Sequence, residues 1–187
     1  RGEEVDREGA TPPALVAGRG AERQQEAGRR VADAGHEGAA HSHSHRLLTD
    51  RSTETRREEY ERSRERLGEL TGQPVRGFRA AAFDIPPGHF EGLRQAGYGY
   101  DSSVVASRAV PGWYGGEYDL EVPAPASEAV PGAPSELTEV PASVMPGLRL
   151  PLTGTWLRFF GPGYTLLGMR LLARRGVAPV LYVHPWE

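Results

Sequence analysis

The sequence predicts an α/β domain in which helices cross over between the strands of a parallel sheet. Segments with strand-like patterns alternate with segments of helical periodicity, and this alternation is typical of a parallel sheet. The length of 187 residues fits one domain, predicted here over residues 1–187. Gly and Pro together account for 40 residues, which indicates long loops around a packed core.

The clearest helix is predicted to begin near Ser52 or Thr55 and to end at Leu70, before Thr71-Gly72. Thr55 and Glu58 match a capping box. Tyr60 and Leu67 form an apolar stripe with Leu70. The other predicted helices are 22–34 followed by Gly35, 90–96 followed by Gly97, and 164–174 followed by Gly176.

Strands are predicted over short apolar runs between these helices. Pro12-Pro13 cannot donate hydrogen bonds to a central ladder, so the first strand is either displaced to Ala14-Leu15-Val16 or the sequence there is damaged. The other predicted strands are 75–78, 98–100, 137–145, 148–152 and a buried strand over 180–183.

A long loop rich in Pro and Gly is predicted over residues 106–136, inside the single domain. Between Ala109 and Pro134 these residues recur so often that no regular element is expected. Loops of this length are usually functional or mobile.

The composition excludes several kinds of site and partner. The absence of Cys excludes disulfides, thiol nucleophiles and thiolate zinc sites, so any metal must bind to His and carboxylate side chains. A net charge of −3 gives no general attraction to nucleic acid or anionic lipid. No apolar run reaches the ~18 residues of a membrane span, and no signal peptide is visible. A cytoplasmic and a cell-surface location both stay open.

The strongest local signal is the run His41-Ser42-His43-Ser44-His45. Imidazoles four residues apart lie on one face of a helical turn, so His41 and His45 are candidate ligands of one metal ion, and His43 is expected to point away. The alternative is a solvated His-rich loop with incidental metal affinity.

Three further polar residues follow predicted strands. His184 comes after Val180–Val183, Asp101 after Tyr98–Tyr100, and Arg79 after Val75–Phe78. The carboxyl ends of parallel strands carry the ligand-binding face of such sheets, so these side chains are candidates for one active-site rim. The structural alternatives are a packing histidine, a helix cap or turn at Asp101, and a surface salt bridge of Arg79.

Together these motifs resemble the polysaccharide deacetylases with a NodB-homology domain, carbohydrate esterase family 4. The terminal His-Pro-Trp-Glu is similar to the branch with a DUF3473-type C-terminal part. The matching segments are Gly35-His36-Glu37, His41-Ser42-x-x-His45, Gly77-Phe78-Arg79-Ala80, Tyr100-Asp101-Ser102-Ser103 and Leu181-Tyr182-Val183-His184-Pro185-Trp186-Glu187.

The resemblance implies a distorted (β/α) barrel, incomplete at its N-terminus, that hydrolyses N-acetyl groups on amino sugars with metal-activated water. It implies that His41 and His45 bind a divalent ion, with zinc first and cobalt or another transition metal as alternatives. It also implies that His184 is the general acid, that Asp101 tunes it through a hydrogen bond, and that Arg79 orients a catalytic Asp.

That catalytic Asp, the general base, and the third metal ligand have no counterpart in this sequence and are expected upstream of Arg1. The implied partner is a polysaccharide or oligosaccharide with N-acetylated amino sugars, with Leu181 and Trp113 as candidate substrate contacts. Three alternatives stay open: a non-catalytic glycan-binding barrel, an amidohydrolase on small ureides or formamides, and a His-rich metal buffer without a folded site.

Overall fold

The computed structural model describes residues 14–16, 29–30, 32–109 and 115–184. The strands of this part are β1 (Ala14–Val16), β2 (Gly38–Ala40), β3 (Gly77–Phe78), β4 (Tyr100–Asp101), β5 (Ala124–Pro125) and β6 (Thr138–Glu139). The helices are α1 (Thr53–Thr71), α2 (His89–Gln95), α3 (Ala126–Ala129), α4 (Gly154–Phe160) and α5 (Pro162–Arg174), with a 3₁₀ turn at Ala81–Phe83.

The strands form one sheet in the order β1-β2-β3-β4-β6-β5. All neighbouring pairs are parallel except β5 with β6. This confirms the α/β class and the parallel sheet, and the first strand lies at Ala14–Val16, the displaced position. The sheet is open between β1 and β5 among the described residues, which is consistent with an incomplete barrel.

Helix α1 confirms the predicted helix, but its cap differs from the prediction. The N-cap is Ser52, whose hydroxyl accepts a hydrogen bond from the Thr55 amide at 3.3 Å. The predicted capping box of Thr55 with Glu58 is therefore wrong, because the helix already begins at Thr53 and both residues lie inside it. At the other end, Gly72 adopts the left-handed conformation and closes the helix, as expected.

The predicted buried strand over 180–183 is wrong. Only Tyr182 forms a bridge, to Thr153, and Val183 is about half exposed. The backbone bonds of this segment are divided between two neighbours: Ser143 bonds to Val180, whereas residues 152–154 bond to Tyr182. No continuous ladder therefore forms.

The segment 106–136, predicted to lack regular elements, contains β5 and α3. Pro125 is tolerated in β5 because this strand lies at the edge of the sheet, where a missing N–H disturbs the ladder least. Ala126, which starts α3, is fully buried. The part of the loop that carries Trp113 lies outside the described residues, as does most of the predicted helix 22–34.

One main core cluster joins α1, α2 and the sheet. Tyr60 and Leu67 of α1 pack with Phe78 of β3 and Leu93 of α2. Beside this core the Tyr100 ring lies directly on Gly77, where any Cβ would overlap it. This close approach explains the glycine in β3. None of the helices in the described part is long and apolar enough to cross a membrane.

Candidate active site

Polar side chains collect where the parallel strands end. His41 follows β2, Arg79 follows β3, Asp101 ends β4 and Glu139 ends β6. Since these strands run parallel, the four residues lie at one edge of the sheet. The structure thus brings three of the predicted site residues to the edge that binds ligands in open α/β sheets.

The loop that follows β2 is not a helical turn, so the geometric premise of the predicted His pair is wrong. Ser42 and His45 both have left-handed backbone angles, with φ of 55° and 56°. The Ser42 hydroxyl accepts a hydrogen bond from the His45 amide at 3.2 Å. The rings of His41 and His45 nevertheless meet edge to face, with centroids 4.9 Å apart.

His41 is held by a hydrogen bond between its Nδ1 and the Arg79 carbonyl oxygen at 2.8 Å. A carbonyl can only accept, so Nδ1 carries the proton. In a neutral imidazole this leaves the lone pair on Nε2. Burial lowers the pKa of His41 to about 4, which keeps the ring neutral near pH 7. His41 thus has the protonation state of a metal ligand.

Glu59 of α1 holds the middle of the same loop. Its Oε2 accepts hydrogen bonds from the amides of His43 and Ser44, at 2.8 and 2.7 Å. The residue is 9% exposed. The single sequence offers no signal for this contact, because Glu59 lies in a helix crowded with other Glu and Arg residues.

Arg79 is buried, which excludes the surface salt bridge considered from the sequence. Its Nε donates to the Ser102 carbonyl at 2.6 Å, and its Nη2 donates to the Ser102 hydroxyl. The guanidinium lies over the Tyr182 ring at 5.1 Å and the Phe83 ring at 5.6 Å. Burial lowers the pKa of Arg79, and Asp101 is among the groups that oppose this effect.

Asp101 is fully buried in a polar network of its own. Its Oδ1 accepts from the Ser103 hydroxyl at 2.8 Å, and its Oδ2 lies 3.3 Å from His89 Nε2. His89 Nδ1 is in turn 2.9 Å from the Tyr60 hydroxyl. The expected hydrogen bond from Asp101 to His184 is therefore wrong, since His89 and Ser103 occupy the carboxylate.

Glu139 stands next to Asp101 in the β4–β6 register and is also fully buried. Its Oε1 accepts from the Val104 amide at 2.9 Å, while its Oε2 has no hydrogen-bond partner among the described residues. Burial, and then the charge of Asp101, raise the pKa of Glu139 well above the usual value for a carboxyl group.

Tyr182 links His184 to the histidine loop. Its hydroxyl lies 2.9 Å from His184 Nε2, and the two ring centroids are 4.8 Å apart. The Tyr182 ring also meets the His41 ring edge to face, with centroids 6.5 Å apart. Sequence reasoning missed Tyr182 as a site residue, although it stands two residues before His184 in the motif.

The two predicted substrate contacts are placed differently. Leu181 is half-buried and packs against the core cluster of Met145, Leu152 and Leu172. That packing is a structural role, and contact with a substrate stays a prediction. Trp113 belongs to the residues that the structure does not describe.

Within the described residues, no group of three or more His, Cys, Asp or Glu side chains is arranged to hold a metal ion. The two imidazoles that the sequence predicts as ligands, those of His41 and His45, lie with their ring centroids 4.9 Å apart. The neutral His41 ring has its lone pair on Nε2 and donates from Nδ1 to a backbone carbonyl, as zinc-bound histidines do, so it fits a divalent ion such as zinc.

Two family models match the chain. The polysaccharide deacetylase model covers residues 13–100, and the model of DUF3473, a domain of unknown function, covers residues 102–187. The sheet is continuous across the two regions because β4 pairs with β6.

Solved structures share the fold. A Mycobacterium smegmatis protein assigned to the polysaccharide deacetylases has a TM-score of 0.73 at 23% identity, over 95% of this chain and 59% of that one. An allantoinase, Puue, has a TM-score of 0.58 at 17% identity, over 91% and 53%. A CE4 family pseudoenzyme from Bacillus anthracis has a TM-score of 0.52 at 11% identity, over 93% and 60%.

These identities show the fold alone, and the chain spans little more than half the length of the matching structures. No curated protein sequence matches it significantly. The two family models together span nearly the whole sequence. The N-terminal half of the chain therefore matches the polysaccharide deacetylase family, and its C-terminal half matches DUF3473.

Proposed function

We propose that this chain is part of a metal-dependent hydrolase that removes N-acetyl groups from the amino sugars of a polysaccharide. His41 and His45 hold a divalent ion, zinc or cobalt, and His184 is the general acid. The match of residues 13–100 to the polysaccharide deacetylase model supports hydrolysis of an amide. The metal, the sugar polymer and the residue roles are the proposed parts.

The observation that carries the proposal is the hydrogen bond from His41 Nδ1 to the Arg79 carbonyl, beside the His45 ring. Zinc-bound histidines almost always donate their second nitrogen to a carbonyl or carboxylate, because this fixes the tautomer and the direction of the lone pair. A histidine packed only for structure needs no such pairing with a second imidazole.

A bound divalent ion supplies Lewis-acid polarisation of the acetyl carbonyl and lowers the pKa of water toward ~7. The residues of the chain supply positioning and proton transfer. The Tyr182 hydroxyl, 2.9 Å from His184 Nε2, orients the imidazole that protonates the departing amine. The Arg79 guanidinium packs against the face of the Tyr182 ring, 5.1 Å from the ring centroid.

The role of Asp101 follows from its position in the buried network. It has no direct bond to His184, so we assign it to Arg79 instead: its negative charge favours the charged guanidinium in an environment that otherwise disfavours it. Arg79 in turn fixes Ser102 and, through its carbonyl, His41.

The test is deacetylation of N-acetylglucosamine oligomers by the full-length protein, with and without added zinc or cobalt. We expect His41→Ala to abolish both metal binding and turnover, and the matched control His43→Ala, in the same loop, to preserve both. His184→Ala should retain metal and lose about 10² to 10⁴ in turnover, the usual contribution of a general acid. Normal turnover in His184→Ala would refute the assigned chemistry.

Other outcomes of the same assay identify the rival functions. Glycan binding without turnover would indicate a non-catalytic barrel, and turnover only on ureides would indicate an amidohydrolase. A simple metal buffer would bind zinc equally well as a free peptide of residues 36–45, which lacks the Arg79 carbonyl and Glu59.

A further inference from the structure

We infer that Glu59 is a positioning residue of the metal site: its carboxylate holds the loop between the two ligands in the shape that brings His45 to His41. This inference rests on the proposed function, since it concerns the same His pair. It adds a residue of α1, far from the loop in sequence, to the structure that supports the ion.

The carboxylate of Glu59 binds two backbone amides of the loop. One carboxylate oxygen accepts the amides of two consecutive residues, His43 and Ser44, at 2.8 and 2.7 Å. Both amides lie between the predicted ligands and point at the same side chain. These two hydrogen bonds to one oxygen hold the two successive amides in a fixed relative orientation.

The loop needs such an anchor because its backbone is strained. Ser42 and His45 are both left-handed, a conformation that side chains with a Cβ disfavour. Residues held this way persist only where the surroundings over-determine them. The bonds to Glu59, together with the bond from the His45 amide to Ser42 Oγ, hold the loop in this conformation.

The two ligands depend on Glu59 unequally. His41 is buried and has its own bond to the Arg79 carbonyl. His45 is exposed, and its backbone is fixed through the loop that Glu59 holds. Loss of Glu59 is therefore expected to release His45 while the His41 ring stays in place.

The experiment is a titration of the full chain with Co²⁺, followed by calorimetry and by the visible absorption of the ion. We expect Glu59→Ala to weaken Co²⁺ binding by about 10- to 100-fold, the usual effect of removing a residue that supports metal ligands. The matched control is Glu58→Ala, an exposed neighbour on α1 that pairs with Arg62 at the surface. It should leave the affinity unchanged, and equal losses in both variants would overturn the inference.

A second variant separates positioning from direct ligation. The side-chain oxygen of Glu59→Gln can still accept both amides, so this variant should retain most of the affinity. If Glu59 were itself a ligand, Gln would lose as much as Ala, and the positioning role would be refuted. Glu59→Gln also keeps the inference testable if Glu59→Ala fails to fold.

A double-mutant comparison tests whether Glu59 acts through His45. In the background of His45→Ala, the additional change Glu59→Ala should have little further effect on Co²⁺ affinity. Undiminished additivity would overturn the inference. In the wild type, the His43 and Ser44 amides should also be protected from hydrogen exchange, and Glu59→Ala should remove that protection without metal present.

The failures of the two proposals are distinguishable. If His41→Ala and His45→Ala leave Co²⁺ binding unchanged, the proposed metal site is wrong and this inference falls with it. If those variants lose Co²⁺ but Glu59→Ala does not, the metal site stands and only the role of Glu59 is refuted.

Discussion

Two polar clusters meet at the carboxyl edge of the sheet, and they differ in burial and in partners. The inner cluster, defined by Tyr60, His89, Asp101 and Ser103, is a fully enclosed chain of side-chain contacts. The outer cluster is defined by His41, His45, Tyr182 and His184, and it reaches the surface at His45.

Arg79 separates the two clusters. Its guanidinium bonds to Ser102, which lies between Asp101 and Ser103 of the inner cluster along the chain, and its face packs on Tyr182 of the outer one. Asp101, the acidic residue expected to bond to His184, instead bonds to His89 and Ser103 in the interior. The side chains of the outer cluster are three imidazoles and a phenol. We therefore expect substitutions in the inner cluster to change the stability of the fold, and substitutions in the outer cluster to change metal binding.

The largest expected effect is on stability, at the centre of the inner cluster. Asp101→Ala leaves His89 Nε2 and the Ser103 hydroxyl buried without this partner. An unsatisfied buried polar group costs about 1 to 3 kcal/mol, so the free energy of unfolding should fall by about 2 to 6 kcal/mol in total. Urea unfolding measures this. In the outer cluster, His184→Ala should lower the free energy of unfolding by about 1 kcal/mol. A larger loss in His184→Ala than in Asp101→Ala would contradict the assignment of stability to the inner cluster.

The next effect concerns pH. The pKa of His41 is lowered by burial from 6.5 to about 4, so the unfolded chain binds a proton at His41 more readily than the folded one. The contribution of His41 to stability is complete above pH 6.5 and is lost as pH falls toward 4, by about 3 kcal/mol.

Urea unfolding between pH 4 and 7 measures this dependence. His41→Asn should remove it, because the Asn amide can donate to the Arg79 carbonyl but does not titrate. The control His45→Asn, at the exposed position, should keep it. A wild-type profile identical to that of His41→Asn would show that His41 is not buried as a neutral ring.

The smallest effect is expected at the Tyr182 hydroxyl. Tyr182→Phe keeps the ring that packs on Arg79 and His41 and removes the hydroxyl that lies 2.9 Å from His184 Nε2. A single half-buried hydrogen bond contributes about 0.5 to 1.5 kcal/mol, and thermal unfolding should show a loss in this range. A loss of stability as large as that of Asp101→Ala would show that Tyr182 stabilises the fold as strongly as the inner cluster does.

The sequence predicts the parts of the fold that depend on local rules. The span of α1, the parallel sheet and the terminal glycines Gly35, Gly72, Gly97 and Gly176 follow from periodicity and from backbone preferences. The motifs also identify which strands carry polar residues at their ends. Each of these features depends on residues that lie within a few positions of one another in the sequence.

The contacts of the site could not be predicted, because they join residues distant in sequence. Asp101 bonds to His89 instead of His184, and the loop carrying His43 bonds to Glu59 on α1. The same limit explains the false strand at 180–183, whose backbone bonds are shared between two neighbouring segments. Periodicity reports which face is apolar and gives no information on which partner a polar group selects.

The metal site is tested most directly by nitrogen NMR of the His41 ring, without and with zinc. If His41 and His45 hold the ion, Nδ1 of His41 is protonated and its Nε2 is not, and zinc shifts the Nε2 signals of His41 and His45 while leaving those of His43 unchanged. A proton on Nε2 of His41, or a zinc response of His43 equal to that of its neighbours, would contradict a metal site built on these two residues.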